Sequence, residues 1–212
     1  IRKHHVMENE IRTSVIIQMY TMYASVLNKL HMNERALEYA KKGMRLALKN
    51  RSYDYLFTLW THVALIYESL GDLDKSERYF FKALDLEPIL IDSEHLLPFA
   101  FVHFANLLIS KKQWEKAKQL VERSISICRK IEDNLLLVQS LLVYGEWNIQ
   151  QTQHIKAVPL CLEAEKIAKK YTFDQFTSKS ISKLCTCYEA LQEESNFLEY
   201  VVKLYRIQKG GN

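Results

Sequence analysis

A small residue returns along this chain at a nearly constant interval. Ala24, Ala64, Ala105, Gly145 and Cys185 stand 40, 41, 40 and 40 residues apart. Two further small columns keep the period, Ala36, Ser76, Ala117 and Ala157 in one, and Gly43, Ala83, Ser124 and Ala164 in the other. A bulky column runs beside them through Tyr20, Trp60, Phe101, Leu141 and Ile181. Independent columns that share one period restrict the chain to a repeat architecture. Each copy is then a supersecondary unit that cannot bury its apolar face alone and must stack on its neighbours.

The clearest copy is Phe57 to Leu90. Its large residues, Trp60, Val63, Tyr67 and Phe80, fit the space between two packed helices. Ala64, Ser76 and Ala83 let the backbones approach, Gly71 suits the turn, and Pro88 cannot continue a helix. Only five Gly and three Pro occur in 212 residues, too little punctuation for many short strands, so the expected fold is all-α. Five hairpins are predicted near residues 9–49, 51–90, 93–131, 134–171 and 174–208, as one repeat domain over 1–212. Their first helices are expected near 9–30, 51–70, 93–111, 134–151 and 174–192, and their second helices near 33–49, 73–87, 113–131, 154–171 and 195–208. Asn33, Asp72 and Asp174 are candidate caps. The fifth copy departs from the pattern, with Phe197 and Leu204 where earlier copies keep small residues, so its hairpin either packs differently or receives another element.

Several function classes lack support in these residues. No apolar run reaches the length of a membrane span, and the first ten residues, IRKHHVMENE, have no secretory core. A soluble, cytoplasmic chain is expected. Cys128, Cys161, Cys185 and Cys187 form neither a CxxC pair nor a disulfide framework. The net charge of +4 is spread among interleaved acids and bases, which does not favour direct nucleic-acid binding. No phosphate loop, nucleophile elbow or zinc-binding helix motif occurs, and no acid, base and nucleophile can be assembled, so neither an enzyme nor a cofactor is expected. His62 and His103 occupy equivalent places on successive first helices, but two imidazoles are too few for a metal site. They read as neutral packed side chains.

Trp60, Val63, Ala64, Tyr67 and Gly71, then Ser76, Phe80, Ala83 and Pro88, make the chain resemble a tetratricopeptide repeat (TPR) protein. The resemblance implies a right-handed superhelix of hairpins. The period of about 40 exceeds the minimal 34, and the extra residues are expected to lengthen the helices by nearly two turns. It also implies that the second, fifth, ninth, twelfth and thirteenth places of each first helix line a concave groove. From those places come the candidate peptide-binding residues Asn28, Thr61, Leu65, Glu68, Phe99, Val102, Asn106, Gln139, Leu142, Glu146 and Lys179. Carboxamides there can pair with peptide donors and acceptors at once, and an apolar middle can take aliphatic side chains.

More narrowly, the long repeat resembles the peptide-pheromone receptors of Gram-positive bacteria, of the Rap, NprR and PlcR type. What that implies is a quorum-sensing, regulatory TPR domain that binds a short signalling peptide and changes packing or oligomeric state. Asn106 then best matches the asparagine that holds the peptide backbone, and Asn28 is second. Transcriptional output, and any DNA contact, would come from an N-terminal effector domain outside this chain. A homo-oligomer is expected and a membrane partner is not. The competing expectation is a protein-interaction or dimerisation scaffold without a peptide ligand.

Overall fold

The second helices are amphipathic because their small residues recur on one face, and that face is buried. In the computed structural model, which describes the backbone of residues 2–209 and the side chains of 11–209, Ala36, Ala117 and Ala157 have no exposed surface. The same holds for Ser76, Ala83, Ser124 and Ala164. A methyl or hydroxymethyl group is all that fits where two helices lie this close.

Ten α-helices follow one another among the described residues: α1 Arg2–Lys29, α2 Asn33–Lys49, α3 Tyr53–Ser69, α4 Leu73–Leu84, α5 Leu97–Ser110, α6 Trp114–Ile131, α7 Asn134–Gln150, α8 His154–Lys170, α9 Asp174–Ala190 and α10 Glu194–Gln208. Antiparallel neighbours pack as the repeat demands, α1 on α2, α3 on α4, α7 on α8 and α9 on α10. First helices also touch across a repeat, α1 with α3 and α7 with α9. The contacts divide into two compact units, residues 1–100 and 101–212.

The first unit is built around Ile17, Ala24, Leu56, Phe57, Leu59, Val63 and Phe80, all nearly or wholly buried. The second is built around Phe101, Phe104, Leu108, Val121, Leu141, Cys161, Ile181 and Leu184. Each large apolar side chain so buried contributes roughly 1.5–3 kcal/mol. The Ser124 and Ser140 hydroxyls meet at 2.8 Å inside the second unit, and Ser140 also hydrogen-bonds the Leu136 carbonyl, so these buried polar groups are satisfied.

The turns are more uniform than the sequence suggests. Among the described residues eight connecting positions have left-handed φ, and only Gly71 of these is glycine; the others are His31, Arg51, Lys112, Glu132, Thr152, Thr172 and Gln192, with φ between 54° and 59°. The first helix of each hairpin ends on the same pair of backbone bonds. After α3, the Gly71 N–H donates to Glu68 O and Asp72 N–H to Tyr67 O; after α7, Thr152 N–H donates to Ile149 O and Gln153 N–H to Asn148 O. Carbonyls that would be orphaned at the helix end are thereby satisfied.

Two local expectations need correction. The second and third hairpins are joined not by lengthened helices but by short 3-10 segments, Glu87–Ile89 and Ile91–Leu96, so α4 ends at Leu84 and α5 starts at Leu97. Pro88 lacks the donor that would carry α4 onward. Of the expected caps, Asp72 accepts a bond from Lys75 N–H at 3.0 Å, but Asn33 and Asp174 are the first helical residues of α2 and α9 rather than their caps. A cap not singled out, Asp133, accepts from Leu136 N–H at 2.9 Å. In the fifth hairpin Phe197 and Leu204 are half-buried against Cys161, Ile181, Leu184, Tyr188 and Tyr200. Thus α10 uses its larger residues to close onto α8 and α9, and the Tyr200 hydroxyl also reaches the buried Glu165 carboxylate at 3.2 Å.

Candidate functional site

The second unit contains an open groove of about 730 Å³ between α5, α7 and α9. Its floor is apolar. Val102, Ile109 and Leu142 are almost completely buried beneath it, and Val143 and Phe176 extend the apolar lining. Polar lining comes from Asn106, Gln139 and Gln150, with the hydroxyls of Ser110 and Ser182. The groove also holds Lys112, Lys179, Lys183 and Glu146, three cations against one carboxylate.

The charges are not equivalent. Glu146 on α7 forms an ion pair with Lys183 on α9, and Gln150 Nε2 donates to the same carboxylate at 2.8 Å. Burial works to raise the Glu146 pKa, but the Lys183 and Gln150 bonds outweigh it and hold the carboxyl below its usual range. The pair ties two first helices together and leaves Lys179 to lie over the Phe176 ring, its ammonium 5.4 Å from the ring centre. His103 on α5 lines the groove with Val102 and Asn106, and burial pushes its pKa down to about 4, so the imidazole is neutral at pH 7. The Trp147 indole N–H, donating to the Trp114 carbonyl at 2.8 Å, pins the start of α6 against α7 at the rim.

Six of the eleven sequence-selected residues, Val102, Asn106, Gln139, Leu142, Glu146 and Lys179, converge on this groove. The other five lie in the first unit. There Thr61 has no exposed surface and its hydroxyl donates to the Phe57 carbonyl at 3.0 Å, so it packs between helices and presents nothing to a ligand. Phe99 packs against His62, ring centres 5.7 Å apart. Leu65, Glu68 and Asn28 are half-buried. The Glu68 carboxyl is raised above its usual range by burial, and the Asn28 amide oxygen is buried without a hydrogen-bond partner.

Sequence reasoning omits a whole row of the groove. His103, Val143 and Lys183 each follow a fifth-place residue, namely Val102, Leu142 and Ser182, and all three line the cavity. The signal for a sixth-place row is present in the alignment of copies, where His62 and His103 match. Lys112 and Trp114 escape it because they belong to the turn before α6 and to the first residue of α6 rather than to a first helix.

Among the described residues no group of three His, Cys, Asp or Glu could hold a metal ion, and no helix is long and apolar enough to cross a membrane. Cys161 and Cys187 are buried, and burial raises their pKa values to about 12 and about 11, the opposite of an activated thiolate.

Comparison with known proteins agrees with this architecture. Residues 57–89 match the family model described as tetratricopeptide repeat. No curated protein matches the sequence. The crystal structure of BtubC (BKLC) from P. vanneervenii is similar with a TM-score of 0.85 at 14% identity, over 98% of this chain and 85% of that one. The crystal structure of the nearly identical TPR-like repeats of a putative kinesin light chain from Podosopora anserina is similar with a TM-score of 0.72 at 16% identity, over 91% of this chain and 94% of that one. At such identities a likeness shows the fold alone, and the fold is an all-α array of TPR-like hairpins in which the copy over residues 57–89 also carries the tetratricopeptide repeat in its sequence.

Proposed function

We propose that the groove of the second unit receives an extended peptide, making this chain a peptide-binding interaction module and not an enzyme. The observation that carries the reading is the placement of Asn106, Gln139 and Gln150 around the apolar floor of Val102, Ile109 and Leu142. A carboxamide offers donor and acceptor together and so matches peptide backbone, while the floor accepts aliphatic side chains. In its finer form, which rests on the resemblance to peptide-pheromone receptors, the peptide is a short signal. Its binding shifts packing or oligomeric state, and transcription is controlled through a DNA-binding domain outside this chain. Titration with aliphatic-rich hexapeptides should raise the melting temperature of the wild type, and Asn106→Ala should abolish the rise without lowering the unliganded melting point. A melting curve that no such peptide shifts, with Asn106→Ala silent, overturns the reading.

A second reading, a self-associating scaffold, is favoured by one specific observation. The helix α1 exposes Val15, Met19, Met22 and Val26, each roughly half accessible, on one side. An apolar row of this length on a helix suits a second helix better than an extended peptide.

A further inference from the structure

The fifth hairpin leaves open a surface that the fourth hairpin hides. Counted back by one period, Leu198, Val201 and Tyr205 of α10 correspond to Val158, Cys161 and Glu165 of α8. On α8 these places lie under the hairpin that follows. Val158 and Cys161 pack in one cluster with Ile181 and Leu184 of α9, and Glu165 accepts a hydrogen bond from the Tyr200 hydroxyl of α10. Cys161 has no exposed surface and Glu165 only 6%, whereas Val201, Leu198 and Tyr205 are 37%, 54% and 55% exposed. The three α10 side chains advance by three and then four residues, which places them in one stripe with the spacing of a helix-packing seam. Charge is unevenly distributed along the same helix. Glu194 stands in its first turn and Arg206 in its last, with Lys209 as the residue that ends it. Neither Arg206 nor Lys209 meets a carboxylate among the described residues, and the Lys209 ammonium lies 5.0 Å from the centre of the Tyr205 ring, at the border of the stripe.

We propose that the outer face of α10 docks an amphipathic helix of a different protein, antiparallel to α10 as α9 is to α8, with acidic residues in its first turn and basic residues in its last. Its apolar residues, three and four apart, meet Leu198, Val201 and Tyr205. An antiparallel helix brings its N-terminal turn to the C-terminal end of α10, so its acids face Arg206 and Lys209 while also complementing its own dipole. Its last turn reaches Glu194, which a basic residue satisfies. The apolar stripe supplies affinity, and the two charged ends select one direction. The α1 helix of a second copy does not match this face. It carries an open apolar row, but it has no acid in its first turn, ends on Lys29, and contains neither Asp nor Glu between residues 11 and 29. Laid either way along α10, it sets no acid against Arg206 and Lys209. The face is separate from the groove between α5, α7 and α9, and docking on it does not depend on a peptide there.

The test selects phage-displayed libraries of helices about 18 residues long on the immobilised full chain. Both libraries vary an i, i+3, i+4, i+7 stripe among Leu, Ile, Val, Met and Phe. One carries Glu in the first turn and Lys in the last, and the other has these charges exchanged. The first library should be enriched about tenfold over the second. Replacing both Arg206→Glu and Lys209→Glu should invert the preference, and Leu198→Asp should abolish retention while the melting point stays at the wild-type value. Asn106→Ala should leave retention unchanged. Equal enrichment of the two libraries, retention of neither, or a preference that survives the charge reversal overturns the docking face. Retention lost through Asn106→Ala and not through Leu198→Asp also overturns it, by moving the helix to the groove. Self-association of the wild type that Leu198→Asp disrupts assigns the face to a second copy and overturns it as well.

Discussion

His103 shows how much one side chain in the groove depends on its surroundings. An ordinary imidazole has a pKa near 6.5, and burial brings His103 down to about 4. The unfolded chain therefore binds a proton below pH 6.5 that the folded chain refuses, so acid favours unfolding. Stability tied to this residue is complete above pH 6.5 and is lost as pH falls towards 4. Linkage puts the loss at about 1–3 kcal/mol. Carboxylates titrate over part of that range, and the difference between wild type and His103→Gln isolates the histidine. Urea midpoints at pH 7.5 and pH 4.5 should diverge less in the variant, and an unchanged divergence would show that His103 is already protonated in the folded protein. The same residue marks a boundary of sequence reasoning. Its match with His62 is visible in the repeat, and its neutrality follows from packing along a first helix. Its position at the groove is not visible, because the concave stripe taken from the repeat skips the sixth place, and only the actual rotation of α5 turns that place towards α7 and α9.

At the scale of the helix, the small columns act as spacers, and Gly145 shows how little room they leave. A Cβ added there would lie 2.9 Å from the Cys161 sulfur, which is itself fully buried between α7, α8 and α9. Gly145→Ala therefore gains about 1 kcal/mol of helix propensity and costs about 1–3 kcal/mol of overpacking. A net loss of about 1 kcal/mol is expected from chemical denaturation. Adding Cys161→Ala should recover most of it, so that the double variant is more stable than the sum of the single effects predicts. Simple additivity would mean that the two atoms do not meet. Spacers of this kind are fully legible, since a backbone contact repeated every 40 residues leaves a column that no other constraint produces. Connections are less so. The 3-10 segments between α4 and α5 occupy mixed sequence with no helical period of their own, and Pro88 announces only that α4 cannot run on, because its missing donor acts on the one carbonyl it would have met. Left-handed residues such as Thr152 and Gln192 carry no glycine to announce them, because the paired backbone bonds of each turn impose their φ. Thr61 illustrates the converse. It falls on the right stripe, but its helix supplies an acceptor at Phe57 O, and the neighbouring helices cover it.

For the molecule as a whole, the question is what stands against its exposed apolar surface. Repeat arrays stack copy on copy, and a terminal copy must either turn a polar face outwards or meet something further. On α1, Ile11, Val15, Met19, Met22 and Val26 are between 47% and 61% exposed, and they advance in steps of three and four residues along one side of the helix. On α10, Leu198, Val202 and Tyr205 are similarly open, though its Phe197 and Leu204 are engaged within the fifth hairpin. A row of 16 residues on α1 runs for about 24 Å, enough for two copies of the helix to pair along a two-fold axis. Pairing of α1 with itself closes at a dimer, whereas α1 meeting α10 of the next copy leaves a free face at each end and grows with concentration. Closed symmetric pairing is the commoner solution among soluble proteins and the one expected here. Sedimentation velocity should find a dimer that does not grow between micromolar and tens of micromolar protein. Met22→Glu should convert it to a monomer by burying an unpaired charge in the seam, and Val202→Glu should leave it intact. A wild-type monomer throughout removes the self-associating scaffold from consideration, and dissociation by both variants replaces the closed dimer with head-to-tail stacking of α1 on α10.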